Sequence, residues 1–177
     1  MKIGVISDTH DRLESIKKAI DIFKKERVGL IIHCGDWVSP YTLEYFDFVL
    51  KDYKIPVKSV FGNNEGDIKR LLERNSKLTN PIEFALKEVF EIKIGKRKIA
   101  VYHGQDNVIL NALIKSKIYD SVFTGHTHIV KNILINNVLV LNPGSTCFAA
   151  DSRIIKDASI AIYNSNSNSA KIITFRQ

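Results

Sequence analysis

Seven side chains of metal-binding type follow apolar runs of the chain, and their chemistry gives the first indication of function. They are two aspartates, one asparagine and four histidines: Asp8, His10, Asp36, Asn63, His103, His126 and His128. Imidazole, carboxylate and amide donors without a cysteine thiolate are typical of sites for Mn, Fe, Ni or Zn rather than of cysteine-rich structural zinc sites. These residues therefore predict a catalytic metal centre.

The number of donors indicates more than one ion. Seven donors exceed what a single catalytic ion would use, and one carboxylate can bridge two ions that lie about 3.5 to 4 Å apart. Such a pair stabilises both the attacking and the leaving oxygen of an in-line displacement at phosphorus. We therefore expect two divalent cations and a displacement reaction at phosphorus.

A repeated strand and helix pattern explains how donors so distant in sequence could meet. Continuous apolar runs predict buried strands over residues 2–7, 28–34 and 57–61, with helices between them over residues 11–26 and 41–50. This order is the signature of βαβ units, whose parallel strands direct the residues after their carboxyl ends into one crevice. The donors that follow these three strands are thus expected to converge.

The start of the first predicted helix carries a capping signal. Asp11 has the residue type of an N-cap, and Glu14 follows three positions later, which completes a capping box. We predict that the helix is capped by Asp11.

The second half of the chain is richer in strands. Apolar patterns predict seven strands, over residues 90–94, 99–102, 121–124, 129–135, 138–141, 159–163 and 172–175, and one helix over residues 108–117. No segment is long or polar enough to divide the chain into domains. We predict a mixed α/β sandwich in which residues 1–177 form a single domain.

Composition limits the class of protein. With 26 lysine and arginine residues against 19 aspartate and glutamate residues, the 177-residue chain has a formal charge of +7. Its balance of apolar and charged residues excludes an intrinsically disordered chain, and no apolar run approaches the roughly 20 residues of a membrane helix. Cys34 and Cys147 lie at strand ends in apolar surroundings, which favours buried thiols and a cytoplasmic location. The basic surplus is spread along the chain and specifies no partner.

Five short segments resemble the motifs of a known superfamily. They are Asp8-Thr9-His10, Gly35-Asp36, Gly62-Asn63-Asn64-Glu65, His103-Gly104 and Gly125-His126-Thr127-His128. In order and spacing they are similar to the five signatures of the calcineurin-like metallophosphoesterases. Asn142-Pro143-Gly144-Ser145 further resembles the small single-domain phosphodiesterase branch, to which the scaffold subunit of the retromer coat is also similar. The resemblance implies a four-layer αββα sandwich, with two mixed β-sheets face to face and helices outside.

The resemblance also implies which side chains hold which ion. The first donor set is Asp8, His10, Asp36 and His128. The second donor set is Asp36, Asn63, His103 and His126, so that Asp36 bridges the two ions. Manganese is the ion that we expect first, with nickel, iron or zinc as alternatives. The implied reaction is hydrolysis of a small phosphodiester through attack on phosphorus by a hydroxide that bridges the two ions.

Two positions depart from the family pattern. Most members have a histidine at the position of Asn64, where it is thought to help protonate the departing oxygen. An amide can orient phosphate by a hydrogen bond, but it has no titratable proton, so we predict a preference for good leaving groups such as those of aryl phosphodiesters. Gln105 replaces another histidine that is frequent in this branch and that would influence substrate contacts. Asn64, Asp36 and His103 are the residues that we expect to act directly in catalysis.

Two other classes of function compete with a phosphodiesterase acting on small molecules. A nuclease or nucleotide phosphatase would use the basic surface to attract nucleic acid, although no basic run with interleaved aromatic residues supports it. A protein-interaction scaffold would keep the fold without catalysis. Every histidine of the two donor sets is present, which favours an enzyme. The sequence predicts no membrane partner and leaves a homo-oligomer open.

Overall fold

Two mixed β-sheets, one two-stranded antiparallel pair and four helices are the regular elements in the part of the chain that the structure describes. The computed structural model describes residues 1–147, 149–150, 153–154 and 157–176. In chain order the elements are β1 (Lys2–Ile6), α1 (Leu13–Glu26), β2 (Leu30–His33), α2 (Pro40–Leu50), β3 (Val57–Ser59), α3 (Ile68–Asn75), β4 (Glu83–Phe84), β5 (Phe90–Ile94), β6 (Arg97–Val101), α4 (Asn107–Ser116), β7 (Ser121–Phe123), β8 (Lys131–Ile135), β9 (Val138–Asn142), β10 (Ala149–Ala150), β11 (Arg153–Ile154), β12 (Asp157–Asn164) and β13 (Ser169–Arg176).

Both sheets combine parallel and antiparallel strands: the first sheet has one antiparallel flank and the second has two. The first sheet has the strand order β13-β12-β1-β2-β3-β4, in which the pairs from β1 to β4 are parallel and those involving β12 are antiparallel. The second sheet has the order β5-β6-β7-β9-β8, in which β7 pairs in parallel with both β6 and β9. Strands β10 and β11 form a separate antiparallel pair. The parallel βαβ arrangement predicted for the first half is confirmed.

Apolar side chains fill three layers between these elements. Ile3 and Val5 of β1 pack between the two sheets together with Ile99 and Val101 of β6, whereas Ile6 packs toward α1 and α2. The outer side of the second sheet packs against α4 through another group of buried residues, namely Ala100, Ile114, Val122, Val138 and Val140. Because side chains alternate along a strand, each central strand supplies both a sheet-to-sheet layer and a sheet-to-helix layer. The predicted four-layer αββα sandwich is confirmed.

The capping box predicted at the start of α1 is wrong. The helix begins at Leu13 with Arg12 as its N-cap residue, and Asp11 has a left-handed backbone with φ of 58°. The Asp11 carboxylate instead accepts hydrogen bonds from the hydroxyl groups of Ser39 and Thr42. It therefore joins this loop to the first turn of α2, a long-range contact that a local capping pattern does not reveal.

Helix α3 and the two-residue strands β4, β10 and β11 are absent from the sequence-based prediction. Helix α3 is only eight residues long and buries one side chain, that of Leu71, so its apolar stripe is too short to identify a helix in sequence. Its start does carry a local signal, because the Asp67 carboxylate accepts a hydrogen bond from the backbone N–H of Arg70. Asp67, as an N-cap residue, was therefore the signal in the sequence from which this helix could have been predicted.

Within the described residues, every helix lacks the length and apolar character needed to cross a lipid bilayer. The two cysteine thiols are buried as expected. The cytoplasmic location inferred from them stays a prediction.

Candidate metal centre

All seven predicted donors lie where strands of the two sheets end. Asp8 and His10 follow β1, Asp36 follows β2, and Asn63 follows β3. The other donors follow strands of the second sheet, with His103 after β6 and both His126 and His128 after β7. The site is therefore shared by the carboxyl ends of parallel strands in both sheets, which is the usual ligand crevice of such sheets.

The backbone at these positions is strained. Five of the seven donors have left-handed φ angles, between 39° and 65°: Asp8, His10, Asp36, His126 and His128. A non-glycine residue in this region costs about 1–3 kcal/mol and persists only where surrounding contacts hold it. Gly62 is required for a different reason, because a Cβ atom there would overlap the Asp36 carboxylate. The loops are thus held in unfavourable conformations that bring the donors together.

The first donor set forms one compact cluster. Its ligand atoms all lie within 4.8 Å of one another. Asp36 Oδ2 lies 3.2 Å from His10 Nε2, and Asp8 Oδ1 lies 3.2 Å from His128 Nε2. His10 Nε2 is buried and has no hydrogen-bond partner among the residues that the structure describes. A nitrogen that is buried, unpartnered and close to carboxylates fits the role of a metal ligand.

The second donor set is also in direct contact. Asn63 Oδ1 lies 3.0 Å from His103 Nε2 and 2.8 Å from His126 Nδ1. The other nitrogen of His103, Nδ1, lies 2.7 Å from the carbonyl oxygen of Cys34, which can only accept a hydrogen bond. In the neutral ring Nδ1 therefore carries the proton, and the lone pair of Nε2 faces the lone pairs of Asn63 Oδ1. A cation between these two atoms would satisfy both.

Asp36 lies between the two sets. Its Oδ2 is directed to His10 and its Oδ1 lies 3.4 Å from His103 Nε2. Burial alone would raise the pKa of Asp36, but the neighbouring His10 and His103 outweigh burial and hold the pKa well below its ordinary value. Asp36 is therefore ionised, and one of its oxygens faces a histidine of each donor set.

Two histidines of the site hold protons more tightly than an isolated imidazole. Burial would lower the pKa of His10, yet the neighbouring Asp36 and Asp8 raise it above its ordinary value. His103 behaves in the same way, because Asp36 and Asp8 outweigh the effect of burial and raise its pKa. Each raised pKa means that protons compete with cations for these nitrogens.

Asn64 touches the bridging carboxylate. Its side-chain Nδ2 donates to Asp36 Oδ2 and its backbone N–H donates to Asp36 Oδ1, both at 2.8 Å. The residue is solvent-exposed, so its amide borders both Asp36 and the solvent side of the site. Its role in orienting phosphate stays a prediction.

Asn142 and Ser145, the polar residues that begin and end the segment Asn142-Pro143-Gly144-Ser145, are buried and bond to the donor loops. Asn142 Nδ2 donates to the carbonyl of Gly125 at 2.7 Å and to Thr127 Oγ1 at 3.1 Å. Ser145 Oγ donates to the backbone carbonyl of Asp8 at 2.9 Å. Both side chains therefore hold the loops that carry donors, an effect that their positions in sequence did not specify.

His33 and Trp37 pack behind the site. His33 Nδ1 accepts a hydrogen bond from the N–H of Gly35, and the ring stacks on Trp37 at a centroid distance of 3.7 Å. Burial lowers the pKa of His33 well below its ordinary value, so the ring is neutral. The Trp37 indole is fully buried and donates to Ser59 Oγ. These side chains support the Asp36 loop from the interior.

Glu65 is a residue of the site to which the sequence analysis gave no role. It is the last residue of the segment Gly62-Asn63-Asn64-Glu65, in which only the two asparagines were given roles. The carboxylate accepts hydrogen bonds from four backbone N–H groups of the loops that carry Asp36 and Asn63. Its burial raises its pKa above the ordinary value, although hydrogen bonds from Gly62 and Val38 oppose this shift. The position of Glu65 within the segment Gly62-Asn63-Asn64-Glu65 was the signal in the sequence that could have drawn attention to it.

Comparison with known proteins identifies the superfamily. Residues 1–167 match the family model described as the calcineurin-like phosphoesterase superfamily domain. The chain belongs to the calcineurin-like phosphoesterase superfamily. The superfamily predicted from the five sequence motifs is therefore confirmed, and with it a metal-dependent phosphoesterase.

Individual relatives and solved structures show how far the similarity extends. Phosphodiesterase MJ0936 of Methanocaldococcus jannaschii is 37% identical over 147 residues, which cover 83% of this chain and 85% of that protein. A solved structure of an archaeal phosphodiesterase is 33% identical, with a TM-score of 0.82 over 99% of this chain and 100% of that chain. Vacuolar protein sorting 29 of Cryptosporidium parvum is 18% identical, covers 99% of this chain and 98% of its own, and has a TM-score of 0.62, which establishes a shared fold.

Proposed function

We propose that the chain is a dinuclear-metal phosphodiesterase that hydrolyses small phosphodiesters, and that residues 1–177 form one metallophosphoesterase domain. The observation that carries this proposal is the position of Asp36, whose two carboxylate oxygens are directed to the histidines of two different donor sets. Phosphodiesterase MJ0936, at 37% identity, supports a diester as the substrate class.

The two donor sets would hold one divalent cation each. Bound ions of this kind lower the pKa of water to supply a nucleophile and neutralise developing charge on phosphate oxygens. The oxygen and nitrogen donors suit manganese, with nickel, iron or zinc as alternatives. His103 would be held in the correct tautomer by the Cys34 carbonyl, and Asp36 would stay ionised throughout the neutral pH range.

Asn64 would favour substrates with good leaving groups. Its amide lies against Asp36 at the exposed side of the site, where it can donate a hydrogen bond to a phosphate oxygen. It cannot transfer a proton to the departing oxygen. Leaving groups that depart as stable anions, such as aryl oxides, need no such proton.

A cavity beside the loop of His126 and His128 supports a small organic substrate. It has a volume of about 370 Å³, and its apolar lining comes from Leu110, Ile129 and Val130. Ligand cavities commonly measure about 300 to 1,000 Å³ and combine apolar walls with a few polar groups. An organic group of a diester fits this size, in a cavity that borders the donor loop through Gly125 and Thr127.

The decisive experiment is hydrolysis of a chromogenic aryl phosphodiester beside the matching monoester. The protein is stripped of metal and then given Mn, Ni, Fe, Mg or Zn separately. We expect an added ion to restore diester cleavage in the wild type and not in Asp36→Ala. Failure of every ion to restore cleavage in folded protein would contradict the proposal and favour a protein-interaction scaffold.

A further inference from the structure

The Glu65 carboxylate lies outside both donor sets, yet it has an unusually complete set of hydrogen bonds. Its Oε1 accepts from the backbone N–H groups of Asp36 at 2.9 Å and Gly62 at 3.0 Å. Its Oε2 accepts from the N–H groups of Trp37 at 3.0 Å and Val38 at 3.1 Å. One side chain thus binds three consecutive N–H groups after β2 and one N–H group after β3.

These hydrogen bonds hold a strained turn. Asp36 and Val38 have φ angles of 65° and 72°, and valine is a β-branched residue that rarely adopts the left-handed region. Consecutive N–H groups in a turn of this kind converge on one point and form a site for an anion. Glu65 supplies that anion from within the chain and stabilises the backbone that aims the Asp36 carboxylate.

The same carboxylate fixes the distance between two donor loops. Gly62 directly precedes Asn63, and its contact with Glu65 places this loop against the Asp36 turn. The attachment of Asp36 to the loop of the first donor set is separate, because the Asp36 carbonyl accepts hydrogen bonds from the N–H groups of Thr9 and His10. Loss of Glu65 would therefore loosen the second donor set more than the first.

We propose that Glu65 is a positioning residue for the second ion, because it fixes the Asp36 turn against the Asn63 loop. This inference rests on the proposed function, in which each donor set holds one ion. It assigns to Glu65 an effect on the relative affinity of two sites rather than on the fold as a whole.

The test is a titration of the metal-free wild type and of metal-free Glu65→Gln with Mn²⁺. Calorimetry measures the two affinities, and electron paramagnetic resonance detects the spin-coupled pair of ions. Glutamine keeps the shape but turns an N–H₂ group toward N–H donors. We expect the first affinity to stay close to that of the wild type and the second to fall by about 10- to 100-fold, with loss of the coupled signal. Glu73→Gln is the matched control, because Glu73 is exposed on α3 and contacts only Lys77 among the described ion pairs.

A second variant makes the test independent of general destabilisation. Val38→Gly in the Glu65→Gln background removes the strain that Glu65 compensates, since glycine adopts positive φ readily. We expect it to recover part of the second affinity. Should Glu65→Gln fail to fold, Glu65→Asp keeps the charge with a shorter reach, and we expect the same selective loss to a smaller degree.

The possible outcomes separate this inference from the proposed function. Equal weakening of both ions, or no change in either, would overturn the role of Glu65 while leaving two-ion binding by the wild type intact. Binding of one ion alone by the wild type would overturn the dinuclear proposal itself, and the inference with it. Selective loss of the second ion with recovery by Val38→Gly would support both.

Discussion

The two donor sets share Asp36 but differ in charge and in how their atoms are partnered. The first set has two carboxylates, and one of its nitrogens, His10 Nε2, is buried without a hydrogen-bond partner among the described residues. The second set has one carboxylate and an exposed amide, Asn63, whose oxygen contacts two imidazole rings. A second carboxylate attracts a cation more strongly than an amide does. We expect the first set to bind its ion more tightly.

The largest effect should follow from the residue that the two sets share. Asp36→Asn removes a charged ligand from both ions at once, so we expect loss of both ions and a fall in kcat/KM of at least about 10³-fold. Metal content by mass spectrometry and hydrolysis of an aryl phosphodiester check this prediction. Asp21→Asn, in an exposed ion pair with Lys17, is the matched control. Retention of both ions by Asp36→Asn would contradict the bridging role.

One substitution in each donor set tests whether the first set binds its ion more tightly than the second. Asp8→Asn should weaken the first ion by about 100-fold because a buried charged ligand is lost, whereas Asn63→Ala should weaken the second ion by about 10-fold. Competitive titration with a fluorescent chelator measures both affinities. If Asn63→Ala lowered metal affinity more than Asp8→Asn, the proposed order of binding would be reversed.

The next effect concerns the leaving group. Asn64→His places a titratable proton beside the second donor set, and we expect turnover of alkyl phosphodiesters to rise by about 10²-fold. Aryl phosphodiesters, whose leaving groups need no proton, should change little. Measuring kcat against the pKa of the leaving group tests this, because the wild type should show a steep dependence and the variant a shallow one. Parallel slopes would count against the role given to position 64.

Acidification should weaken metal binding at both sets. Asp36 and Asp8 raise the pKa of His10 in the first set and that of His103 in the second. When the solution pH lies below these pKa values, each ion must displace a proton from its histidine. We expect affinity to fall by about tenfold per pH unit for each displaced proton. Mn²⁺ titrations between pH 8 and pH 5.5 check this prediction, with proton release measured in buffers of different ionisation enthalpy.

The smallest effect is on the stability of the metal-free protein. Acidification should raise this stability, whereas it weakens metal binding. A histidine whose pKa is raised on folding stabilises the fold below its unfolded pKa, near 6.5, and that contribution is lost as pH rises through the folded value. We therefore expect the free energy of unfolding of the metal-free protein to decrease across this window, while added Mn²⁺ reverses the trend. Urea denaturation at a series of pH values measures both.

Much of the architecture follows from local patterns in the sequence. Continuous apolar runs such as β2 predict buried parallel strands, and the polar residues at their ends predict a shared crevice, which is where all seven donors lie. The assignment of the seven donors to two donor sets depended in addition on the resemblance to the family motifs. Residue types alone give no information on which donor faces which.

Other features depend on contacts that no local pattern encodes. Asp11 has the residue type of a helix cap, but its left-handed backbone directs its carboxylate to α2. Glu65 binds N–H groups almost thirty residues away, and these become convergent only when Asp36 and Val38 adopt positive φ. Helix α3 is only eight residues long and packs against α2, so tertiary contacts rather than its short sequence pattern stabilise it.

The site is completed by a hydrogen bond between distant parts of the chain. The Asp8 carboxylate accepts the backbone N–H of His126, a residue 118 positions later. During synthesis from the amino terminus, the first donor set is therefore incomplete until residue 128 has been added, and β9, β12 and β13 of the two sheets are added only later. Ions bound to the donor sets would stabilise the folded protein by mass action, because the donors converge only when distant segments of the chain have packed together.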